Sequence, residues 1–301
     1  MTYSSSITSL QESSRSPIWQ RFYRSATAML GLVILVAIIL AIVVGPWIYT
    51  VPTNEIDFSQ SSQLPTWSHP FGTNDLGQDQ LARILAGGRI SLAVGLSAMG
   101  VAISLGVMVG AISGFYGGWL DGVLMRLTDL FLSLPQLPLL LLILYLFQDP
   151  IRSIAGPEVG TFALVTGVIG ILNWMSVARL VRANFLSLKQ RDFIRAVKSM
   201  GSSSSRIIWC HLLPNTLAPI IVAATLSVGT AIITESTLSF LGLGFPPDSP
   251  TWGRMLYDAQ NYFAAYPHMA IFPGLAIFLT VLSINYIGDG LRDAFDPQAT
   301  S

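Results

Sequence analysis

Long apolar stretches alternate with short polar ones along this chain, and the alternation predicts six membrane-crossing helices. The first stretch, residues 26–49, carries no charge and as a helix is long enough to cross the roughly 30 Å hydrocarbon core of a bilayer. Trp47 and Tyr49 end it as interfacial anchors. The following GPWIYTVP offers no small-residue cleavage site, so this is a retained helix and not a signal peptide. Further spans are expected at residues 91–114, 123–147, 161–178, 217–241 and 269–287.

Between the spans the pattern is more varied. Residues 50–90 form an outer polar segment, whose end, LGQDQLARILAGGRISL, predicts a short interfacial helix through Leu76, Leu81, Ile84 and Leu85. Gly106, Gly110, Gly114 and Gly118 recur every four residues and predict a bare stripe for close helix packing in lipid. In the third span Arg126 and Asp129 are spaced to pair, and Pro135 and Pro138 predict a kink. Residues 148–160 read as a polar link and 241–268 as a structured connection. The resulting organisation is a cytoplasmic arm (1–25), a first span (26–49), an external segment (50–90), a core with five spans (91–290) and a cytoplasmic tail (291–301).

Composition agrees with the pattern. The chain is 52% hydrophobic and only 11% charged, against about 25% charged for a soluble domain. Net charge is zero, which gives no case for a nucleic-acid partner. Six spans put both termini on one side, and the positive-inside rule assigns that side to the cytoplasm. Of the 16 basic residues only Arg83, Arg89, Arg152 and Arg254 then fall outside, the other 12 lying inside. The basic segment 191–215, RDFIRAVKSMGSSSSRIIWCHLLPN, is therefore cytoplasmic and reads as helix, glycine turn, helix. Gly201 supplies a left-handed stop, the serines after it cap the second helix, and Pro214 marks the meeting with the next span. Phe193, Ala196 and Val197 are expected to share one face. Such a helix-turn-helix suits a cleft in a soluble partner, or anionic lipid headgroups. Cys210, the single cysteine, is expected to be just a small apolar side chain facing a reducing compartment.

Little in the chain carries covalent chemistry. His69, His211 and His268 are far apart and not in metal-ligand spacing. Neither Lys189 nor Lys198 follows a glycine, so the chain contains no phosphate-cradling loop and any ATPase must be a separate subunit. One ionisable group, Glu235, lies within a span. It reads either as a functional intramembrane site or as a structural carboxyl bonded to Thr234, Ser236 or a neighbouring helix.

At the basic loop the chain resembles the permeases of ATP-binding-cassette importers, specifically the second permease of the dipeptide, oligopeptide and nickel group. The Glu-Ala-Ala…Gly signature of that family aligns with Arg195, Ala196, Val197 and Gly201, ending in Leu213, Pro214 and Asn215, with Arg in place of Glu and Val in place of the second Ala. Outside the loop, SPIWQRFYRS, HPFGTNDLGQDQLARILAGGRISLAVGL, GFYGGWLDGVLMRLTD and ESTLSFLGLGFPPDSPTWGRML are similar to segments of the group, so the resemblance covers nearly the whole chain. It implies the all-α type I importer permease fold, with Arg195, Ala196, Val197, Gly201, Leu213 and Pro214 in an ATPase-coupling loop. It also implies a second homologous permease, two ATPases that bind the ATP and Mg, an external solute-binding protein, and no cofactor in this chain. Glu235 matches a usually acidic position, which favours its structural reading. Two alternatives remain at this point: an ion- or proton-coupled carrier working through Glu235, and a membrane scaffold that transports nothing.

Overall fold

The computed structural model describes residues 18–295. Arg15 and the rest of residues 1–17, with residues 296–301 of the expected tail, lie outside the described residues. Within them the fold is all-α, and six helices are long and apolar enough to cross a membrane. After a short α1 (Ile18–Arg24), α2 (Ala26–Ile48) makes the first crossing, its N-terminus capped by the Ser25 hydroxyl, which accepts from the Ala28 amide. The second is α3 (Gln80–Tyr116), a single helix of 37 residues. No separate interfacial helix precedes it: Asp79 caps α3 by accepting from the Ala82 amide at 2.7 Å, so Leu81, Ile84 and Leu85 form its first turns and the crossing begins eleven residues earlier than residue 91.

The third crossing departs from expectation at its prolines. It is made by α5 (Gln136–Ala155), which follows α4 (Gly118–Ser133) after a break rather than a kink. Leu134 is forced to extended backbone (φ −77°, ψ 140°) by the clash that a following proline creates. Pro138 leaves the helix intact, because in the first turn of α5 its missing N–H would have had no partner anyway. The expected link at 148–160 is also largely helical: α5 runs to Ala155, Gly156 turns at φ +84°, and α6 (Pro157–Ile171) follows at once. A short break at Leu172 and Asn173 separates α6 from α7 (Trp174–Lys189), which together form the fourth crossing. Then come α8 (Asp192–Ser199), α9 (Ser204–Ile207) and a single π turn (Ile208–Leu212) leading into α10 (Leu213–Phe240). The short α11 (Trp252–Ala259) and the last crossing α12 (His268–Phe295) complete the described residues.

At the centre is α3, which contacts α2, α6, α7 and α10. Three members of its glycine stripe face α7. A Cβ at Gly106 would lie 2.5 Å from Val177 Cβ, one at Gly114 2.7 Å from Phe185 Cβ, and one at Gly110 would meet the Ala178 carbonyl. Gly118 does not belong to the stripe; with φ +59° it turns the chain between α3 and α4, and nothing lies within 4 Å of its missing Cβ.

The two ends of the bundle differ in chemistry. At one end Phe22 of α1 packs with Ala294 of α12, and α3 and α7 finish and α4 begins beside the basic loop. At the other end residues 50–79 and 241–268 fold over the helices. Asp79 accepts from the Tyr49 hydroxyl at 2.7 Å and faces His69 Nδ1 at 2.8 Å. Burial, with Asp79 beside it, holds the Tyr49 phenol protonated well above its usual range. The buried Arg83 guanidinium donates to Gln78 at 2.5 Å and lies 3.4 Å from Asp258, which Arg254 approaches at 3.0 Å. Burial raises the Asp258 carboxyl above its ordinary value, against the pull of the two arginines.

The glycine seam predicts which positions refuse a side chain. Gly106→Leu drives a side chain into Val177 and is expected to cost about 1–3 kcal/mol, read as a drop in Tm of the detergent-purified protein. At Gly229 a new Cβ meets Ile284 at an ordinary 3.6 Å, so Gly229→Ala leaves Tm unchanged in the same assay.

Candidate functional site

The loop at 191–215 is clamped on one side and open on the other. Ile194 of α8, Ile207 of α9 and Leu212 are buried together against Val181 and Phe185 of α7. Gly201 adopts φ +77°, the left-handed turn that lets α9 fold back, and Ser203 caps α9 by accepting from the Arg206 amide. Pro214 cannot donate to the carbonyl four residues earlier and its ring crowds it; the backbone answers by widening into the π turn just before α10. The Asn215 side chain donates to the His211 carbonyl there at 2.6 Å.

Phe193 and Ala196 of α8 and Met200, which caps its C-terminus, are spaced i, i+3 and i+7 and exposed, as is Trp209 on the π turn. Val197 turns inward against the buried cluster, so it does not share the outer face expected for it. Cys210 is likewise exposed. Arg195 stands 4.0 Å from Asp192, an exposed separation that contributes little. The base beneath the loop is more firmly joined. Arg182 of α7 donates to both carboxylate oxygens of Asp121 at 2.6 and 2.7 Å, and Ser113 of α3 donates to the same carboxylate. Asp129 pairs with Arg179 of α7, not with Arg126, because α4 lies along α7 and offers that carboxylate across the gap. The Lys189 ammonium donates to the Phe115 carbonyl at the end of α3.

Within the spans, α3, α7 and α10 enclose a groove of about 370 Å³. The breaks at Leu134–Pro135 and Leu172–Asn173 lie side by side near it, bridged by Gln136 and Asn173 at 3.4 Å. The Asn173 amide also donates to the Ile169 carbonyl at 2.7 Å, supplying a bond that the break would otherwise cost.

Glu235 is in neither place. It is fully buried towards the C-terminal end of α10, accepting from Ser239 at 2.7 Å and facing Ser91 of α3 at 3.4 Å. Ser91 in turn accepts from the Trp252 amide, so the carboxyl joins α3, α10 and α11. Thr234 does not take part; its hydroxyl donates to the Thr230 carbonyl.

Residues 106–301 match the profile of a family described as the binding-protein-dependent transport system inner membrane component. The chain belongs to that family. Residues 16–65 match a second profile, the N-terminal transmembrane domain of oligopeptide transport permease C. A putative peptide permease protein of Brucella suis is 40% identical over 281 residues, 93% of this chain and 89% of the relative. A dipeptide transport system permease protein of Alkalihalophilus pseudofirmus is 40% identical over 94% of this chain and 90% of its own length. A glutathione transport system permease protein of Escherichia coli is 37% identical, covering 93% and 89%. This is therefore the permease subunit of an ATP-binding-cassette importer, a component that works with partner subunits and ATPases. The family does not support the reading of Glu235 as the coupling site of a self-sufficient carrier.

Sequence reasoning placed the loop but missed its base, since Asp121 and Arg182 are 61 residues apart and nothing local marks them as partners. It also missed the groove, although Asn173 in an apolar run was a readable signal. The Arg182 hydrogen bonds hold the Asp121 carboxyl below its ordinary range. A depressed carboxylate contributes stability above the unfolded value of about 3.9 and loses it as pH falls through the folded value. The difference in Tm between the native protein and Asp121→Asn is therefore expected to be constant from pH 8 to 5 and to vanish only under stronger acid.

Proposed function

We propose that this permease imports peptides or chemically similar small solutes across the bacterial inner membrane. It forms one half of the pathway with a homologous second permease. Two ATPases, which bind the ATP and Mg, dock at the basic end, and a solute-binding protein delivers cargo at the other. The peptide assignment is supported by the relatives named above for peptide, dipeptide and glutathione transport. The excess of basic residues at the loop end supports a cytoplasmic location for that end and for both termini.

The observation that carries the coupling role is the two-sidedness of the 191–215 loop. One side is buried on α7, while the other presents Phe193, Ala196, Met200 and Trp209 among Arg191, Arg195, Lys198 and Arg206. An exposed apolar surface rimmed by charge fits a cleft in a protein partner. Arg195, Ala196 and Gly201 then contribute to the seat, with Val197 and Leu213 packed against the buried cluster beneath it and Pro214 fixing the π turn. Closure of the ATPases moves the loop, and the hydrogen bonds between α7, Asp121 and Phe115 pass that movement to α3 and α4 as a rigid-body switch between inward- and outward-facing states.

Ala196→Asp alters the exposed seat without touching the core, so it is expected to lower ATPase co-purification and uptake about tenfold or more while Tm stays unchanged. Gly201→Val forces a branched side chain into a left-handed turn, at a cost of about 1–2 kcal/mol, and is expected to reduce both as well. Normal uptake by both variants would refute the docking role. Glu235→Gln keeps an acceptor for Ser239, and ATP-driven uptake in vesicles is expected to stay within about twofold of the native value, with no response to an imposed proton gradient.

A further inference from the structure

We propose that the groove between α3, α7 and α10 is a solute-contacting subsite of the pathway, in which Asn173, Ser227 and Thr230 meet the amide groups of a passing solute without selecting for its charge. The inference rests on the peptide-import reading above and gives it a location. Asn173 and Ser227 are half-buried and Thr230 is exposed, yet all three converge from two helices on one concavity within the crossing segments. Polar side chains at that depth are costly against lipid and are found facing protein or a water-filled cavity. The helix break at Leu172–Asn173 points the same way, because irregular backbone in a membrane is tolerated where it lines protein or water.

The hydrogen-bond inventory indicates the ligand. Ser227 donates to the Ala223 carbonyl at 2.7 Å and Thr230 to the Leu226 carbonyl at 3.2 Å. Each hydroxyl has its donor engaged and lone pairs free, so both present acceptors, matched to amide N–H groups. Asn173 adds an amide carbonyl that accepts from Gln136 at 3.4 Å and retains a further lone pair. No Asp, Glu, Lys or Arg lines the groove, so no fixed charge traps or repels a solute. On its outer side the lining residues Ala98 and Ile169 continue into a buried aliphatic cluster containing Val94, Val165 and Leu238. That cluster packs against Ile90 and Phe162, which line a second cavity of about 400 Å³. Two cavities share the same faces of α3 and of α6 and its continuation α7, with an aliphatic seal between them, the arrangement expected of a pathway closed at one level.

The test uses the complete transporter, with its ATPases and binding protein, in liposomes. In a Cys210→Ser background, Ser227→Cys and Thr230→Cys are treated with a membrane-impermeant thiosulfonate. Both are expected to react, with rates that change about fivefold or more between the nucleotide-free and the ATP–vanadate-locked complex, while Ile221→Cys, exposed on the same helix outside the groove, does not react. In parallel, Ser227→Asp is expected to raise the ratio of uptake of a singly cationic over a singly anionic alanine tripeptide about threefold or more relative to the native complex. Unreactive cysteines with normal tripeptide uptake, or reactive cysteines with an unchanged ratio, overturn the subsite. A native complex that takes up neither tripeptide overturns the peptide reading instead, and is recognised because labelling of the groove still responds to nucleotide.

Discussion

How closely α7 approaches α3 decides the rest of the loop end of the bundle. In lipid the apolar effect that drives soluble cores is absent between helices, so association depends on contact and on hydrogen bonds. Gly106, Gly110 and Gly114 remove three side chains from the seam and let Val177, Val181 and Phe185 sit against bare backbone. Because α7 is held there, Arg182 reaches Asp121, Lys189 reaches the Phe115 carbonyl, and Val181 and Phe185 supply the floor on which Ile194, Ile207 and Leu212 pack. The exposed face of the loop is defined only because its opposite face is fixed. A looser seam would leave an amphipathic hairpin with no preferred orientation.

The same solvent explains why the crossings were legible in the sequence and the helix breaks less so. Apolar runs long enough for a bilayer are dictated by the cost of unsatisfied backbone, and six crossing helices appear, the third displaced to residues 136–155 from the expected 123–147. Their ends are set by other chemistry. Asp79 extends α3 outward by capping it, and Gly156 compresses a thirteen-residue link into a single turn, neither of which hydropathy registers. Proline signals were read correctly as interruptions but not in kind: Pro135 breaks a helix because of what it does to Leu134, while Pro138 sits harmlessly in a first turn. The loop glycine and serine cap were visible because they act within a few residues. The ion pairs of Asp121 and Asp129 were not, because a 61- or 50-residue separation closes only in three dimensions.

Charge placement divides the protein's tasks. Buried or paired ions are concentrated at the ends, with Arg83 and Asp258 under the cap of residues 50–79 and 241–268 and Arg182 and Asp121 at the loop base. Glu235 also holds elements together, its carboxyl joining α10 to Ser91 of α3 and, through Ser91, to α11. Between the ends the groove carries only neutral polarity. A subunit powered by separate ATPases needs no titrating group along its path, and a lining of hydroxyls and one amide is what remains when that requirement is lifted.

Arg195 occupies the position where the resembling family carries an acid, and the structure shows what the exchange leaves intact. Its side chain is exposed and its nearest partner, Asp192 at 4.0 Å, is also exposed, so neither the loop's fold nor its clamp on α7 depends on the sign of the charge. The shape of the seat is set instead by Ile194, Ile207, the left-handed turn at Gly201 and the π turn before Pro214. In the proposed docking role, coupling by a rigid, apolar protrusion would be a matter of fit, and fit survives a reversed charge at its rim. What the reversal changes is the partner that is favoured: an ATPase cleft carrying acid near Arg195 would be preferred over one built for a glutamate.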